Sequence, residues 1–501
     1  MIRVAPPGSL IELLVHRAAL HPDRVALRNG PRALDFGTWR DRAAALAHGL
    51  LARGLRPGDP VGLRYGSTGW TDYAVAYCGV QWAGGIAVPL SDRLAPAAAA
   101  HIVEDSRCAG VLHGEGGPPP RLPAEVWQAT AEDTETGATG AGDGDGLPLP
   151  DPSAPAQYLY TSGTTGLPKG VRATHANLAH GCTLDERRRP LRHSRTFLHS
   201  FPIGTNAGQT MLVNCLDTAA TGVAAPQFTP LRFARLIEEH AVGSVFLVPA
   251  TAIELLASTA LDRRDLSTVK LVGSTAAALP QPVALRLSQA FPDAQIVNYY
   301  TSTEAAPAQI TLLFDPDHPD SPGRPAALDH LRITDSEGRP AVPGEPGEIW
   351  LRSPTVPRAY LGAPDVDTEV FRGRWVRMGD IGRLDADGYL HLLDRERDVI
   401  KSGAHKVSTI QVENALHAHP DIADAAAFGI PHPVLGSVVA AVVVPRHGEP
   451  DTTRLRAFLL DRLAAHELPA RILFRATLPR NEGGKVLKRE LHRLLDDEAT
   501  P

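Results

Sequence analysis

The sequence predicts an α/β protein built on parallel sheets, and three observations carry that expectation. Strand-like and helix-like segments alternate from Val61 to His113 and again from Gln157 to Tyr300. The pattern changes between about Leu331 and Leu393 to short strands divided by Gly/Pro turns. At 501 residues the chain is long enough for about three folding units. In order, VGLRY (61–65) reads as a strand, Thr71 to Trp82 as a helix and IAVPL (86–90) as a strand. A helix near Ala95–Glu104 and a strand at GVLH (110–113) follow. Residues 114–157 are rich in Gly, Pro, Ala, Asp and Glu, and are expected to be a mostly irregular surface excursion. QYLY (157–160), SVFLVPA (244–250), KLVGS (270–274) and QIVNYY (295–300) resume the strands. GEIWLRS (347–353) and GYLHLL (388–393) belong to a small β-rich subdomain, and a compact α+β unit of roughly 100 residues follows Asp398.

Composition narrows the function. Fifty basic against 56 acidic side chains give a formal charge of −6, with no long basic run, which argues against a nucleic-acid partner. The longest apolar run, Ser437–Val444, is strand length, so no membrane span is expected. The charges near Met1 come too early for a signal peptide. Cys78, Cys108, Cys182 and Cys215 fall in no metal-binding spacing, so a cytoplasmic protein with reduced thiols is expected. Only six of the 50 cations are lysines, in a chain biased towards Arg, Ala, Gly and Pro. Where lysine survives such a bias, its compact and rotatable ammonium is a candidate for chemistry.

Four segments carry the chemistry. TSGTTGLPKG (161–170), directly after a strand, offers backbone N–H groups, hydroxyls and one mobile cation, which together suit a polyphosphate. It is not a Walker A loop, because Gly170 follows Lys169. NYYTSTEAAP (298–307) places a hard carboxylate, Glu304, beside a hydroxyl, Thr303, at a strand end. In WVRMGD (375–380), Asp380 is a two-oxygen acceptor, and the run DRERDVIKSGAHKVSTIQVE (394–413) follows it. In LPRNEGGKVLKREL (478–491) one lysine, Lys485, follows a Gly-Gly turn expected to be flexible. Glu396, Asp398, Lys488 and Arg489 are expected to be solvated charges.

Taken together, these segments resemble the signature motifs of the adenylate-forming superfamily: acyl-CoA synthetases, peptide-synthetase adenylation domains and luciferases. They recur in the family's order over nearly the whole chain. The resemblance implies a large N-terminal domain (residues 1–394), a hinge (395–398) and a small mobile α+β C-terminal domain (399–501). It implies that Thr161, Ser162, Gly163, Thr164, Thr165 and Lys169 bind the ATP phosphates. Ala276 and Ala277, in the small-residue stretch GSTAAAL, would admit adenine, and Tyr300 would pack beside it. Thr303 would reach the α-phosphate, Glu304 would help hold Mg²⁺, and Asp380 and Arg395 would bind the ribose. Lys485 matches the catalytic lysine, and Arg397 sits at the hinge position, where the family favours Asp or Lys.

The implied reaction is attack of a substrate carboxylate on the α-phosphorus of ATP with loss of pyrophosphate. Thioester transfer to CoA or to a phosphopantetheinyl carrier acting in trans would follow. The acyl pocket and the thiol channel also depart from the family pattern. Gly204 and Thr205 replace an aromatic and a histidine in the acyl-pocket segment FPIGTNAG, and Thr301 replaces a glycine. In the turn that would line the thiol channel, Lys401–Ser402–Gly403–Ala404, Ala404 replaces a glycine. An adenylation-only enzyme and a non-catalytic nucleotide-binding protein are the alternatives; Ala404 favours the first, and the joint presence of Lys169, Glu304, Asp380 and Lys485 speaks against the second. FPIGTNAG lacks the aspartate an amino-acid substrate usually needs, which leans the substrate towards a bulky non-amino acid.

Overall fold

The computed structural model describes residues 5–119, 122–136, 146–161, 168–218, 220–362 and 364–499. Two sheets form the bulk of the molecule. One has seven strands in the spatial order 359–360, 169–174, 155–161, 86–91, 60–65, 110–113 and 127–129. The other has nine, running from the edge strand 324–325 through 310–313, 295–300, 271–274, 244–247, 196–199, 221–224 and 25–29 to 32–35. Their inner strands are parallel, as strand–helix alternation demands; antiparallel pairs close both edges of the nine-stranded sheet and one edge of the seven-stranded sheet, whose other edge strand, 127–129, is parallel.

Helix Trp70–Trp82 explains how the sheets associate. Every residue in it except Asp72 is buried, because it packs against strands of both sheets. Two of its hydroxyls reach across the core: Tyr77 donates to Gln157 Oε1 (2.6 Å) and Tyr73 to Gln209 Oε1 (2.9 Å).

The 114–157 stretch is more ordered than its composition suggests. Strand Trp127–Ala129 extends the seven-stranded sheet beside 110–113, and helix Ala131–Thr136 follows it. Any Cβ at Gly110 would lie 2.0 Å from the Trp127 indole, so glycine there lets the tryptophan cover the strand.

The β-rich subdomain is a five-stranded sheet built from 331–334, 347–352, 371–372, 375–384 and 390–395. A second five-stranded sheet begins at Ile400 and is centred on Gly436–Pro445, the apolar run of the sequence. Helices Thr409–His417, Thr452–Leu460 and Lys488–Ala499 accompany it. The four cysteines are buried and unpaired, and no described helix is long and apolar enough to cross a membrane.

Candidate active site

The C-terminal ends of parallel strands point into one cleft, which is where open α/β sheets bind ligands. Ser91, Thr161, Phe201, Val248, Thr275 and Thr301 stand at or just after the ends of six strands from both large sheets. They line a cavity of about 650 Å³, together with Lys169, Glu304, Arg395, Arg397 and Lys485. A second cavity of about 190 Å³ adjoins it, lined by Ala276, Ala277, Tyr300, Asp380, Arg395 and Lys485. Ala276, Thr301, Arg395 and Lys485 face both. Residues 300 positions apart in sequence thus converge as expected. Ser162, Gly163, Thr164 and Thr165 lie outside the described residues. A larger cavity of about 1200 Å³ opens between helices Gln281–Ala290 and Thr409–His417, but it holds none of the expected site residues.

The hairpin of strands Pro155–Thr161 and Lys169–Thr174 presents the glycine/threonine segment, with Thr161 paired to Lys169. Gly170 has no room for a side chain: a Cβ would lie 2.4 Å from Leu361 and 2.9 Å from Tyr160. That contact lets the short strand Ala359–Tyr360 add to the sheet edge. Two residues that sequence reasoning missed lie here, Tyr360 on the strand and Arg358 just before it. The Tyr360 hydroxyl donates to Glu304 Oε1 (2.8 Å), and the Lys169 ammonium stands 5.7 Å over the Tyr360 ring. Arg358, 6 % exposed, donates through Nη1 to the Thr303 carbonyl (2.9 Å). Both tie the Thr303–Glu304 turn in place. Thr301 Oγ1 donates to the Ala308 carbonyl (2.6 Å), so the hydroxyl that replaces glycine braces the same loop.

Asp380 lies on strand Trp375–Leu384 opposite Arg395, whose Nε is 3.4 Å from Oδ1. Its Oδ2 accepts from the Tyr300 hydroxyl at 2.6 Å. Tyr300 therefore positions the carboxylate with its hydroxyl as well as offering its ring. Burial, with Asp380 beside it, holds the Tyr300 phenol well above its ordinary range. Ala276 adopts φ +73°, a left-handed conformation that costs a non-glycine residue about 1–2 kcal/mol. Such strain is typical of ligand-clamping turns.

Thr205 caps the helix Asn206–Asp217: its Oγ1 accepts from the Gly208 N–H (3.1 Å) and donates to the Pro202 carbonyl (2.8 Å). A Cβ at Gly208 would lie 2.2 Å from that carbonyl, which accounts for the glycine. Gly204 and Thr205 both line the main cavity.

The turn before Lys485 is braced rather than flexible, contrary to the expectation from its two glycines. Asn481 N–H donates to the Lys485 carbonyl (2.8 Å), Gly484 N–H to the Asn481 carbonyl (2.9 Å) and Lys485 N–H to Asn481 Oδ1 (2.9 Å). Gly484 is required twice over, by φ +83° and by a would-be Cβ only 2.9 Å from Val248. Burial, joined by Arg395 and Arg397 and opposed by Asp398 and Asp380, draws the Lys485 ammonium down to about 7.

Two charges expected to be solvated are not. Lys488 Nζ donates to Thr409 Oγ1 (3.0 Å) and sits 3.4 Å from Asp398, which also faces Arg397 at 3.6 Å. The helix from Lys488 starts against the 395–398 segment, so its first residue points inward. Glu396 is solvated as expected, paired with Arg377, and Arg489 is exposed. Lys401, Gly403 and Ala404 lie on an exposed hairpin of the C-terminal unit and do not reach either cavity.

A cleft at the strand ends of two sheets, closed by a lysine from a C-terminal α+β unit, defines a two-part nucleotide-using ligase. The chain belongs to the AMP-binding enzyme family, whose main region matches residues 14–361 and whose C-terminal domain matches 411–485. It is 32% identical to a feruloyl-CoA synthase of an Amycolatopsis species, over 96% of this chain and 97% of that one. It is 30% identical to a fatty acid–[acyl-carrier-protein] ligase of Streptomyces coeruleorubidus, over 96% of each. ATP-bound MatB from Rhodopseudomonas palustris superposes with a TM-score of 0.85 at 25% identity, covering 98% of this chain and 99% of that one. The protein is an acyl-CoA synthetase-like enzyme of the adenylate-forming superfamily.

Proposed function

We propose that the protein activates a bulky non-amino carboxylic acid as its acyl-adenylate, with Mg²⁺, and then transfers the acyl group to the thiol of CoA. The observation that carries this reading is Lys485, held between the phosphate-side cavity and the Asp380–Arg395 cavity. In this reading residues 1–394 form the adenylating domain, 395–398 the hinge about which residues 399–501 turn, and Arg397 the pivot. The feruloyl-CoA synthase relative supports an aromatic or similarly bulky acid and the CoA acceptor; the carrier-protein ligase makes a phosphopantetheinyl carrier the other acceptor to try.

The residues fit these roles. Ala276 and Ala277 leave a shallow face for adenine beside Tyr300, and the paired Asp380 and Arg395 offer an acceptor and a donor to the ribose hydroxyls. The substrate carboxylate, with an ordinary pKa near 4, is already ionised and needs no base. What it needs is relief from phosphate repulsion. Lys485 bridges acyl and phosphate oxygens, Thr303 donates to the α-phosphoryl group, and Lys169 with Thr161 and the segment after it receives the departing pyrophosphate. Glu304 is a hard, cavity-facing carboxylate with one oxygen already oriented by Tyr360, which fits Mg²⁺ held by a single carboxylate, phosphates and water. When bound, the metal supplies positive charge to the phosphoryl oxygens.

The test is pyrophosphate release with ATP and a panel of aryl, alkyl and amino acids, followed by thioester assay with CoA and with a carrier protein. Release without any acid dependence would overturn the reading. Release without thioester would leave an adenylation-only enzyme. Ala404 belongs to the second step: its hairpin must approach the cleft in another orientation of the C-terminal unit. Ala404→Gly is expected to speed acyl transfer severalfold while leaving pyrophosphate release unchanged. The freed turn costs about 0.5–1 kcal/mol. Equal transfer rates for both proteins would show that the methyl group does not obstruct the thiol.

A further inference from the structure

The turn that carries Lys485 holds a second side chain that the reaction above does not use. Glu482 Oε1 accepts a hydrogen bond from the Ser91 hydroxyl, across 391 positions of sequence and from one unit of the molecule to the other. Ser91 ends strand Ile86–Ser91, is 4 % exposed, and is held by the Arg93 N–H donating to its Oγ (3.1 Å). Burial raises the Glu482 carboxyl above its ordinary range, against the pull of Ser91 and Arg93. Burying a carboxyl group is unfavourable unless its partners are fixed, so its place in the cleft calls for a reason.

The surrounding geometry supplies one. Glu482 and Gly483 face the main cavity and also a neighbouring cavity of about 300 Å³, lined by Tyr65, Arg93, Gln227 and Thr251. The lysine-bearing turn therefore forms part of the wall between them, together with Ser91, Arg93 and Val248. Gly204 stands beside the contact: a Cβ there would lie 3.4 Å from the Ser91 nitrogen and 3.5 Å from its Cβ, in van der Waals contact with it. The turn transmits position. Three hydrogen bonds connect Asn481, Gly484 and Lys485, which leaves Glu482 little freedom to move without Lys485.

We propose that Glu482 is a positioning residue: docked on Ser91 beside Gly204, it latches the Lys485 turn in the orientation that forms the acyl-adenylate. This rests on the reading of Lys485 as the adenylating lysine. The carboxyl group touches no reacting atom; it fixes where the ammonium stands. A latch of one hydrogen bond suits a unit that must also leave the cleft, because it holds the turn without making release slow.

The test is single-turnover pyrophosphate release at saturating ATP and acid for Glu482→Ala, Glu482→Gln, Ser91→Ala and the Ser91→Ala/Glu482→Ala double variant, with Lys485→Ala alongside. Glu482→Ala is expected to slow release about 10-fold with KM for ATP within 2-fold. Glu482→Gln, whose amide oxygen can still accept from Ser91, is expected to stay within 3-fold of the wild type. Ser91→Ala should match Glu482→Ala, and the double variant should be no slower than either, because both remove one contact. Wild-type release by Glu482→Ala, or losses that multiply in the double variant, would overturn the latch. Failure of Lys485→Ala to slow release would instead overturn the assignment of the lysine. Melting temperatures of all variants separate misfolding from mispositioning, and Glu482→Gln guards against a fold that tolerates no alanine.

Discussion

Lys485→Ala is expected to lower the rate of acyl-adenylate formation by roughly 10²-fold or more, about 3 kcal/mol of transition-state stabilisation. The ammonium is the charged group of the C-terminal unit that faces both the main cavity and the Asp380–Arg395 cavity. The same burial sets a pH dependence. The active form is the protonated one, and in the free enzyme it is lost as pH rises through about 7. The apparent kcat/KM for the acid should therefore fall above neutrality in the wild type, and the residual activity of the alanine variant should lack that limb. Stability should move the other way. A lysine whose folded pKa lies below its ordinary value near 10.4 burdens the native state below pH 7, and the burden lifts as pH rises between the two values. Lys485→Ala should consequently melt no lower than the wild type at neutral pH. Lost activity together with a lowered melting temperature would mark Lys485 as a structural residue.

That pattern separates what the sequence makes legible from what it does not. The strand–helix alternation foretells the parallel sheets because buried strands leave continuous apolar runs, as in IAVPL. The lysine, the Thr303–Glu304 pair and Asp380 are legible because each sits in a local segment whose residue types suit its chemistry. The braces around them are not. Tyr360, on a strand of two residues, and Arg358, just before it, reach Glu304 and Thr303, and the pairing partner of that strand is nearly two hundred positions away. No local periodicity signals a pair that short. Trp127 in the composition-poor stretch escapes for the same reason. Ser91 and Glu482 meet only once two units are docked, and Lys488 turns inward only because its helix starts against the 395–398 segment. In the 481–485 turn, two adjacent glycines read as flexibility. In the structure one of them serves a fixed φ and a close approach to Val248.

Glu304→Gln is expected to lower metal-dependent adenylation on the order of 10²-fold, and to raise the Mg²⁺ concentration needed for half-maximal rate. The amide preserves the shape of the side chain and can still accept from the Tyr360 hydroxyl, so the edge strand Ala359–Tyr360 keeps its place. What it loses is the charge a hard divalent cation requires. Tyr360→Phe is the complementary variant: it removes the donor to Glu304 but keeps the ring beneath Lys169 and the carboxylate itself. If Glu304 binds metal, Tyr360→Phe should cost far less than Glu304→Gln, because a less firmly oriented carboxylate still carries its charge. If Glu304 serves only to hold Tyr360, the ranking reverses: the glutamine variant keeps the hydrogen bond and should behave as wild type, while the phenylalanine variant loses it. Measuring the Mg²⁺ dependence of pyrophosphate release for the two variants decides between these outcomes, since a purely structural contact would leave the metal requirement where it was.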